Sequence, residues 1–294
     1  MCYGKTAFTP GRFLEDGLRK VGVAVDVWGG SDTTPPPDLG GYDAVLYVES
    51  PSRPPATIPG FPDPGHGHRP VKIPRLFWVH HGANRLQANL ALCGEFRPDL
   101  VLMAHSLELA PHFPAPVRFF PFAVATDFFN CTRPLAERKL DIAFVGSTSE
   151  GVYNRRRAVL RAIQSHFKGR ANISLYAKVY LHKLAALYGN AKIVVNCAAD
   201  KLRTINMRLF EGIGCGALVL TDLVPHQDRL FEDGKHYVVY DDIDDLIQKL
   251  DYYLTHLDEA QAIASDGHRH LLAHHTYEIR ARELCAIVEE LRAK

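Results

Sequence analysis

The sequence predicts an α/β protein built on parallel sheets. Short, continuous apolar runs rich in β-branched and aromatic residues recur at 43–48, 75–79, 99–103, 141–145, 193–196 and 217–221. Runs of this kind fit strands covered on both faces. Segments of helical period lie between several of them, and strand, helix, strand in succession implies parallel pairing through a crossover. Residues 192–222 display the unit most plainly: a strand, a loop, a helix bearing Met207, Phe210 and Ile213, and a second strand. Gly216 stands between helix and second strand, where a helix C-cap needs positive φ. A chain of 294 residues suffices for one large or two modest domains, and two are expected.

Taken in order, residues 1–3 form a strand stub, Gly4 to Gly11 a loop, and 12–20 the first helix. The alternation at 23–27 predicts a second strand and 43–48 a third. Residues 51–74 hold eight of the 19 prolines together with His66 and His68, which excludes a central strand or helix and predicts a long loop. No third ligand stands at a recognisable spacing, so these histidines read as solvated loop residues. The strand 75–79 delivers His80, His81 and Gly82 to its carboxyl end. A neutral imidazole there can take a proton from a hydroxyl near pH 7. The ordinary alternative is a core histidine. After 99–103, the strand 141–145 opens onto Gly146, Ser147 and Thr148, small residues that suit close approach of backbone to a phosphate. Arg155, Arg156 and Arg157 then begin a helix to about 167. Their ordinary reading is a basic helix surface, but cations disfavour a helix N-terminus, so an anionic partner there would help explain them. A strand at 173–176 and a helix at 182–190 lead to the central unit. Beyond it lie a strand at 237–240, an amphipathic helix at 246–254 and a last helix from 276 to about 292. Asp242 and Asp244 read as N-cap and first-turn charges of the 246–254 helix rather than as metal ligands.

The loop of the central unit lies at the carboxyl end of a parallel strand, and the helix N-terminus beside it offers unpaired N–H groups to an anion. Asn206, Arg208 and Glu211 occupy that helix. Read alone, Arg208 and Glu211 are a surface pair worth about 0.2–0.5 kcal/mol. Lys and Arg number 34 against 33 Asp and Glu, so no net charge draws the chain to nucleic acid or to an anionic membrane. Six cysteines without a CxxC pair read as reduced thiols, and no disulfide is expected. No apolar run approaches the roughly 20 residues of a membrane span, and no charged-then-apolar leader opens the chain. A cytoplasmic protein is the expectation.

Asn206, Arg208, Phe210, Glu211, Cys215 and Gly216, in that spacing, resemble the donor-binding segment of GT-B type glycosyltransferases, most closely the branch with CgeB-like spore-maturation proteins. Pro121, Asp127 and Phe129 resemble its interdomain crossover, and His275, Thr276, Tyr277 and Arg280 its closing motif. The resemblance covers residues 100–292 well and 1–99 loosely. It implies two Rossmann-like domains facing a cleft: 1–134 on the acceptor side, 135–275 on the donor side, and 276–294 a helix returning to the first domain. It also implies that Glu211 grips ribose or sugar hydroxyls of a nucleotide sugar and that the helix at Asn206 faces the diphosphate. Arg208, Phe210, Gly146, Ser147 and Arg155 or Arg156 would complete the donor site. His81, with His80 as the other candidate, would contact the transferred sugar or the acceptor hydroxyl.

One departure stands out. Many retaining relatives carry a second Glu eight positions before the first, and here that position is Arg203, which with Lys201 would bring positive charge to the diphosphate. Its ordinary reading is a surface loop cation. No bound metal and no tightly held cofactor are implied. The expected function is transfer of a sugar from a nucleoside-diphosphate sugar to a saccharide, lipid, protein or small-molecule acceptor. A non-catalytic nucleotide-sugar-binding scaffold and a GT-B-like epimerase or hydrolase are the alternatives.

Overall fold

The structure, a computed structural model, describes residues 1–4, 6–29, 41–49 and 73–294. They group into two units, Met1–Pro121 with Tyr277–Lys294, and Phe122–Thr276. Residues 122–134 therefore group with the second unit. His66 and His68 lie outside the described residues, as does nearly all of the proline-rich segment.

In the first unit, β1 (Val45–Val48), β2 (Arg75–Val79), β3 (Leu100–Met103) and β4 (Val117–Phe119) form a parallel sheet in that order. Phe77, Val101 and Met103 pack with Leu92, Cys93 and Phe96 of α2 (Leu86–Phe96), a helix the sequence reading did not assign. Burial on both faces explains the unbroken apolar runs. α1 (Pro10–Lys20) starts with proline in its first turn, where a missing N–H costs nothing, and ends on Arg19 and Lys20. It lies against α8 (Tyr277–Arg292) because Gly17 has no side chain: a Cβ there would sit 2.5 Å from the Tyr277 carbonyl oxygen. The strand predicted at 23–27 does not form. Cys2 bridges single residues, Trp28 on one side and Tyr47 on the other, so the alternating valines have no strand with which to build a ladder.

In the second unit, β5 (Leu140–Val145), β6 (Ile173–Tyr176), β7 (Ala191–Asn196), β8 (Leu218–Asp222) and β9 (Val238–Tyr240) form a parallel sheet in the order β6-β5-β7-β8-β9. The order reverses between β5 and β7, so the loops leaving these strands diverge and open a crevice at their carboxyl ends. The helices α3 (Asn154–His166), α4 (Leu181–Tyr188), α5 (Met207–Gly214), α6 (Ile243–Thr255) and α7 (Leu257–His274) complete the unit. The last of these is polar and histidine-rich and was also missed. α5 lies close on the sheet because a Cβ on Gly212 would come within 2.8 Å of Val219. Gly216 takes φ +62 after its end, and its N–H and that of Ala217 close on the carbonyls of Ile213 and Gly212 at 2.9 and 3.2 Å, the left-handed cap foreseen from the sequence. Asp242 caps α6 by accepting the Asp245 N–H at 2.9 Å.

Candidate active site

Three strand ends meet at the crevice of the second unit: Val145, Asn196 and Asp222. Asn206 caps α5 there, its Oδ1 accepting the Arg208 N–H at 3.1 Å. Arg208 then reaches back across the strand ends. Its Nε donates to the Val145 carbonyl at 2.6 Å and its Nη1 to Asn196 Oδ1 at 2.7 Å, with the guanidinium 4.7 Å above the Phe144 ring. Asn196 is fixed in turn, its Nδ2 donating to Thr221 Oγ1 at 3.0 Å and its carbonyl accepting the Tyr240 hydroxyl at 2.9 Å. The sequence offered Gly146 as room for a phosphate. A Cβ there would run into the Arg208 guanidinium, so the glycine first makes space for an arginine of the protein itself. Ser147 remains partly accessible, its Oγ 3.0 Å from that of Ser149.

The arginines at the head of α3 do find anions, but internal ones. Asp200 accepts the N–H groups of Asn154 and Arg155 at 2.7 and 3.1 Å, and Arg155 Nη1 donates to Asp222 at 2.6 Å. Asp222 also accepts the Ala198 N–H. Arg156 is 6 % exposed and gives its guanidinium to the carbonyls of Cys197 and Ser147. It is a strut beneath the crevice and corrects the reading of it as a phosphate ligand. Phe210 is corrected likewise, being 0 % exposed and packed edge-on to Phe231 at 5.7 Å. Arg203 is exposed, with Nη2 donating to the Leu223 carbonyl at 2.9 Å.

Glu211 lies one turn beyond Arg208, half-buried, and its carboxylate accepts no hydrogen bond among the described residues. Burial pushes the carboxyl up to about 7, with Arg208 pulling the other way. A carboxyl that titrates near pH 7 and lacks a partner among the described residues can bond hydroxyl groups, which offer donors and acceptors together.

At the carboxyl edge of the first unit's sheet, His80 and His81 part company. His80 is buried edge-on to Trp78 at 4.4 Å. Burial lowers its imidazole to about 3, although Glu49 raises it and His81 and His105 lower it further, so His80 is neutral at pH 7 and belongs to the core. His81 keeps 35 % of its side chain exposed. The sequence reading missed Glu49, which follows β1. Its carboxylate is fully enclosed, with Oε2 accepting the N–H groups of His80 and His81 at 2.5 and 2.9 Å and Oε1 the Asn89 amide at 3.2 Å. Burial alone would raise this carboxyl, but the His81 side chain, the imidazole neighbours and the His80 N–H outweigh it and hold it at about 2. Nothing in the local sequence marks Glu49, since the strand register alone brings it beside His81.

Among the described residues no group of three or more His, Cys, Asp or Glu is arranged to hold a metal ion. No described helix is long and apolar enough to cross a membrane, and all six cysteines are free.

Residues 130–286 match the profile of a family described as Glycosyl transferase-like. No curated protein matches the chain. Among solved structures, HepE of Anabaena in complex with UDP and glucose is similar over 98 % of this chain and 99 % of its own, with a TM-score of 0.61 at 10 % identity. Sucrose-phosphate synthase from Thermosynechococcus elongatus is similar over 75 % of this chain and 68 % of its own, with a TM-score of 0.55 at 14 % identity. The pneumococcal O-GlcNAc transferase GtfA in complex with UDP and GlcNAc covers 76 % of this chain and 53 % of its own, with a TM-score of 0.51 at 12 % identity. At such identities the likeness is one of fold.

Proposed function

The chain belongs to the glycosyl transferase-like family and is a glycosyltransferase of GT-B fold; from this premise we propose that its donor is a UDP-sugar held at the crevice of the second unit and that its acceptor is an alcohol. The observation that carries the proposal is the pairing of Arg208 and Glu211 on the first turns of α5. Arg208 is a fixed cation at a helix N-terminus on the switch point, where a diphosphate finds positive charge and free N–H groups. Glu211 is a carboxyl one turn on, without a hydrogen-bond partner among the described residues and suited to ribose or sugar hydroxyls. Arg203 and Ser147 stand at the rim as further diphosphate contacts. His81 is the acceptor-side residue, contacting the hydroxyl to be glycosylated.

The spacing of Asn206, Arg208, Phe210 and Glu211 supports placement in the CgeB-like branch, and free thiols support a cytoplasmic location. No tightly bound cofactor enters this reading. The test is release of UDP from a panel of UDP-sugars, with and without candidate acceptors. Acceptor-dependent release is expected. UDP-sugar conversion that ignores every acceptor would point to an epimerase or hydrolase, and binding without turnover to a scaffold.

A further inference from the structure

We propose that a cleft at the amino end of the first unit's sheet takes one further strand, an extended stretch of polypeptide joined to the amino end of Met1 and running parallel to β1. Neither the donor site nor the transferase reading bears on it.

Cys2 shows what the cleft admits. It is a strand one residue long, paired in parallel with Trp28 on one side and Tyr47 on the other. On the β1 side its N–H donates to the Leu46 carbonyl at 2.8 Å and its carbonyl accepts the Val48 N–H at 2.9 Å. Toward the other wall, Met1 donates to the Asp26 carbonyl at 2.6 Å and accepts the Trp28 N–H at 2.9 Å. Successive residues thus bond to alternate walls, as in an inner strand of a parallel sheet. Ahead of Met1 both walls continue with no described residue between them, and they enclose a cleft of about 720 Å³.

The walls present their free backbone groups in matching order. Val45 and Glu49 donate to the Pro74 and Trp78 carbonyls on the β2 side, each at 2.9 Å. By alternation, the N–H and C=O of Ala44 and the N–H of Leu46 face the cleft. Val25 is turned away from it, its carbonyl taken by the Arg19 side chain. The N–H and C=O of Ala24 and the N–H of Asp26 therefore face the cleft from the opposite wall. None of these groups has a hydrogen-bond partner among the described residues.

A strand running into Met1 meets them in turn. The residue next to Met1 bonds the Leu46 N–H and the Ala44 carbonyl, and the one before it the Asp26 N–H and the Ala24 carbonyl. The two before those take the N–H groups of Ala44 and Ala24, so about four residues fill the cleft. Its apolar lining comes from Leu18 of α1 and Leu284 and Val288 of α8, which suits β-branched and other apolar side chains. The next place in this row is one peptide bond from the Met1 nitrogen, so the occupant is continuous with the chain rather than a separate peptide. Left empty, two facing strand edges are open templates for pairing. Filled, they give residues 23–27 the ladder partner that a single cysteine cannot supply.

The experiment compares the 294-residue chain with two versions extended ahead of Met1, one by Val-Ile-Val-Leu and one by Gly-Pro-Asp-Pro, whose prolines lack the N–H donors of a ladder. The apolar extension should raise Tm by about 5 °C and slow amide exchange at Ala24, Asp26, Ala44 and Leu46 by about 10-fold or more against both other proteins. Equal Tm and equal exchange in the two extended proteins overturn the proposal. Slow exchange at these amides in the 294-residue chain alone would mean that its own residues close the cleft, and slow exchange only on adding the free peptide acetyl-Val-Ile-Val-Leu-amide would give the cleft to a separate chain; either result overturns it. Amino-terminal sequencing of the protein from cells that make it naturally should read through apolar residues into Met1, and a start at Met1 itself overturns the assignment of the occupant.

Discussion

Replacing Glu211 by glutamine should stabilise the unliganded protein above neutral pH and weaken its hold on UDP. Burial lifts this carboxyl from its ordinary 4.5 to about 7. In the unfolded chain it ionises near 4.5. Between the two values the folded state keeps a proton that the unfolded state has lost, so stability falls as pH rises through that window and levels off above it. At about 1.36 kcal/mol per pH unit the penalty reaches about 3 kcal/mol at pH 8. That is an upper bound, because solvent reaches part of the side chain. Glutamine keeps the shape without the charge, so its advantage should be about 1–3 kcal/mol at pH 8 and only about 0.4 kcal/mol at pH 4.5, where the parent carboxyl is protonated in the folded state and half ionised in the unfolded one. In a domain of this size each kcal/mol moves Tm by roughly 2–4 °C, so the variant should melt about 3–10 °C higher at pH 8. A ligand hydroxyl loses a charged partner, worth about 1.5–3 kcal/mol, and UDP affinity should drop about 10- to 100-fold. Thermal unfolding at pH 4.5 and 8, with titration calorimetry of UDP at pH 8, measures both. A Tm difference that is the same at both pH values would refute the electrostatic account, and unchanged UDP affinity would refute the assignment of Glu211 to the ligand.

Asp222→Asn leaves the Arg155 guanidinium beside a neutral amide in a part-buried site, and urea unfolding should show a loss of about 2–4 kcal/mol; a loss below 0.5 kcal/mol would mean that Arg155 finds water instead. Gly267→Ala gains about 1 kcal/mol in helix propensity, but its Cβ would run into the His236 carbonyl oxygen, so a net loss of about 1–2 kcal/mol is expected and a rise in Tm would contradict it. Arg203→Ala should weaken UDP several-fold, leaving uridine and Tm unaffected. Arg208→Ala should weaken UDP and also lower Tm, since it strips the Val145 carbonyl and Asn196 of their donor; equal losses of UDP and uridine in either variant would speak against phosphate as the partner.

Strands and helices were legible where one face or both carried an unbroken signal. The runs at 75–79, 99–103 and 141–145 became β2, β3 and β5 to within a residue, because burial on both faces leaves no polar residue to blur the pattern. The 23–27 alternation misled because a strand needs a partner, and its neighbour here contributes one residue, Cys2. α7 was missed because its polar, histidine-rich surface carries a weak helical period and its buried face is made of Ala260, Ala264, Gly267 and Leu271.

By itself the sequence determined the parallel α/β architecture, the left-handed cap at Gly216, the capping role of Asp242 and the placing of Asn206, Arg208 and Glu211 on one short helix. All of these depend on neighbours in the chain, through periodicity, capping geometry and φ preference. Tertiary structure decided which side chains of that helix are spent on the protein and which keep no hydrogen-bond partner among the described residues. Arg156 and Arg155 look alike in sequence, yet one lies under carbonyls of β-strand loops and the other against Asp222, 67 residues away. Glu49 acquires its place beside His81 only through the β1–β2 register, which pairs Val48 with Trp78. A carboxylate at the end of a strand carries no local mark of its partner, because the partner is set by which strand lies alongside.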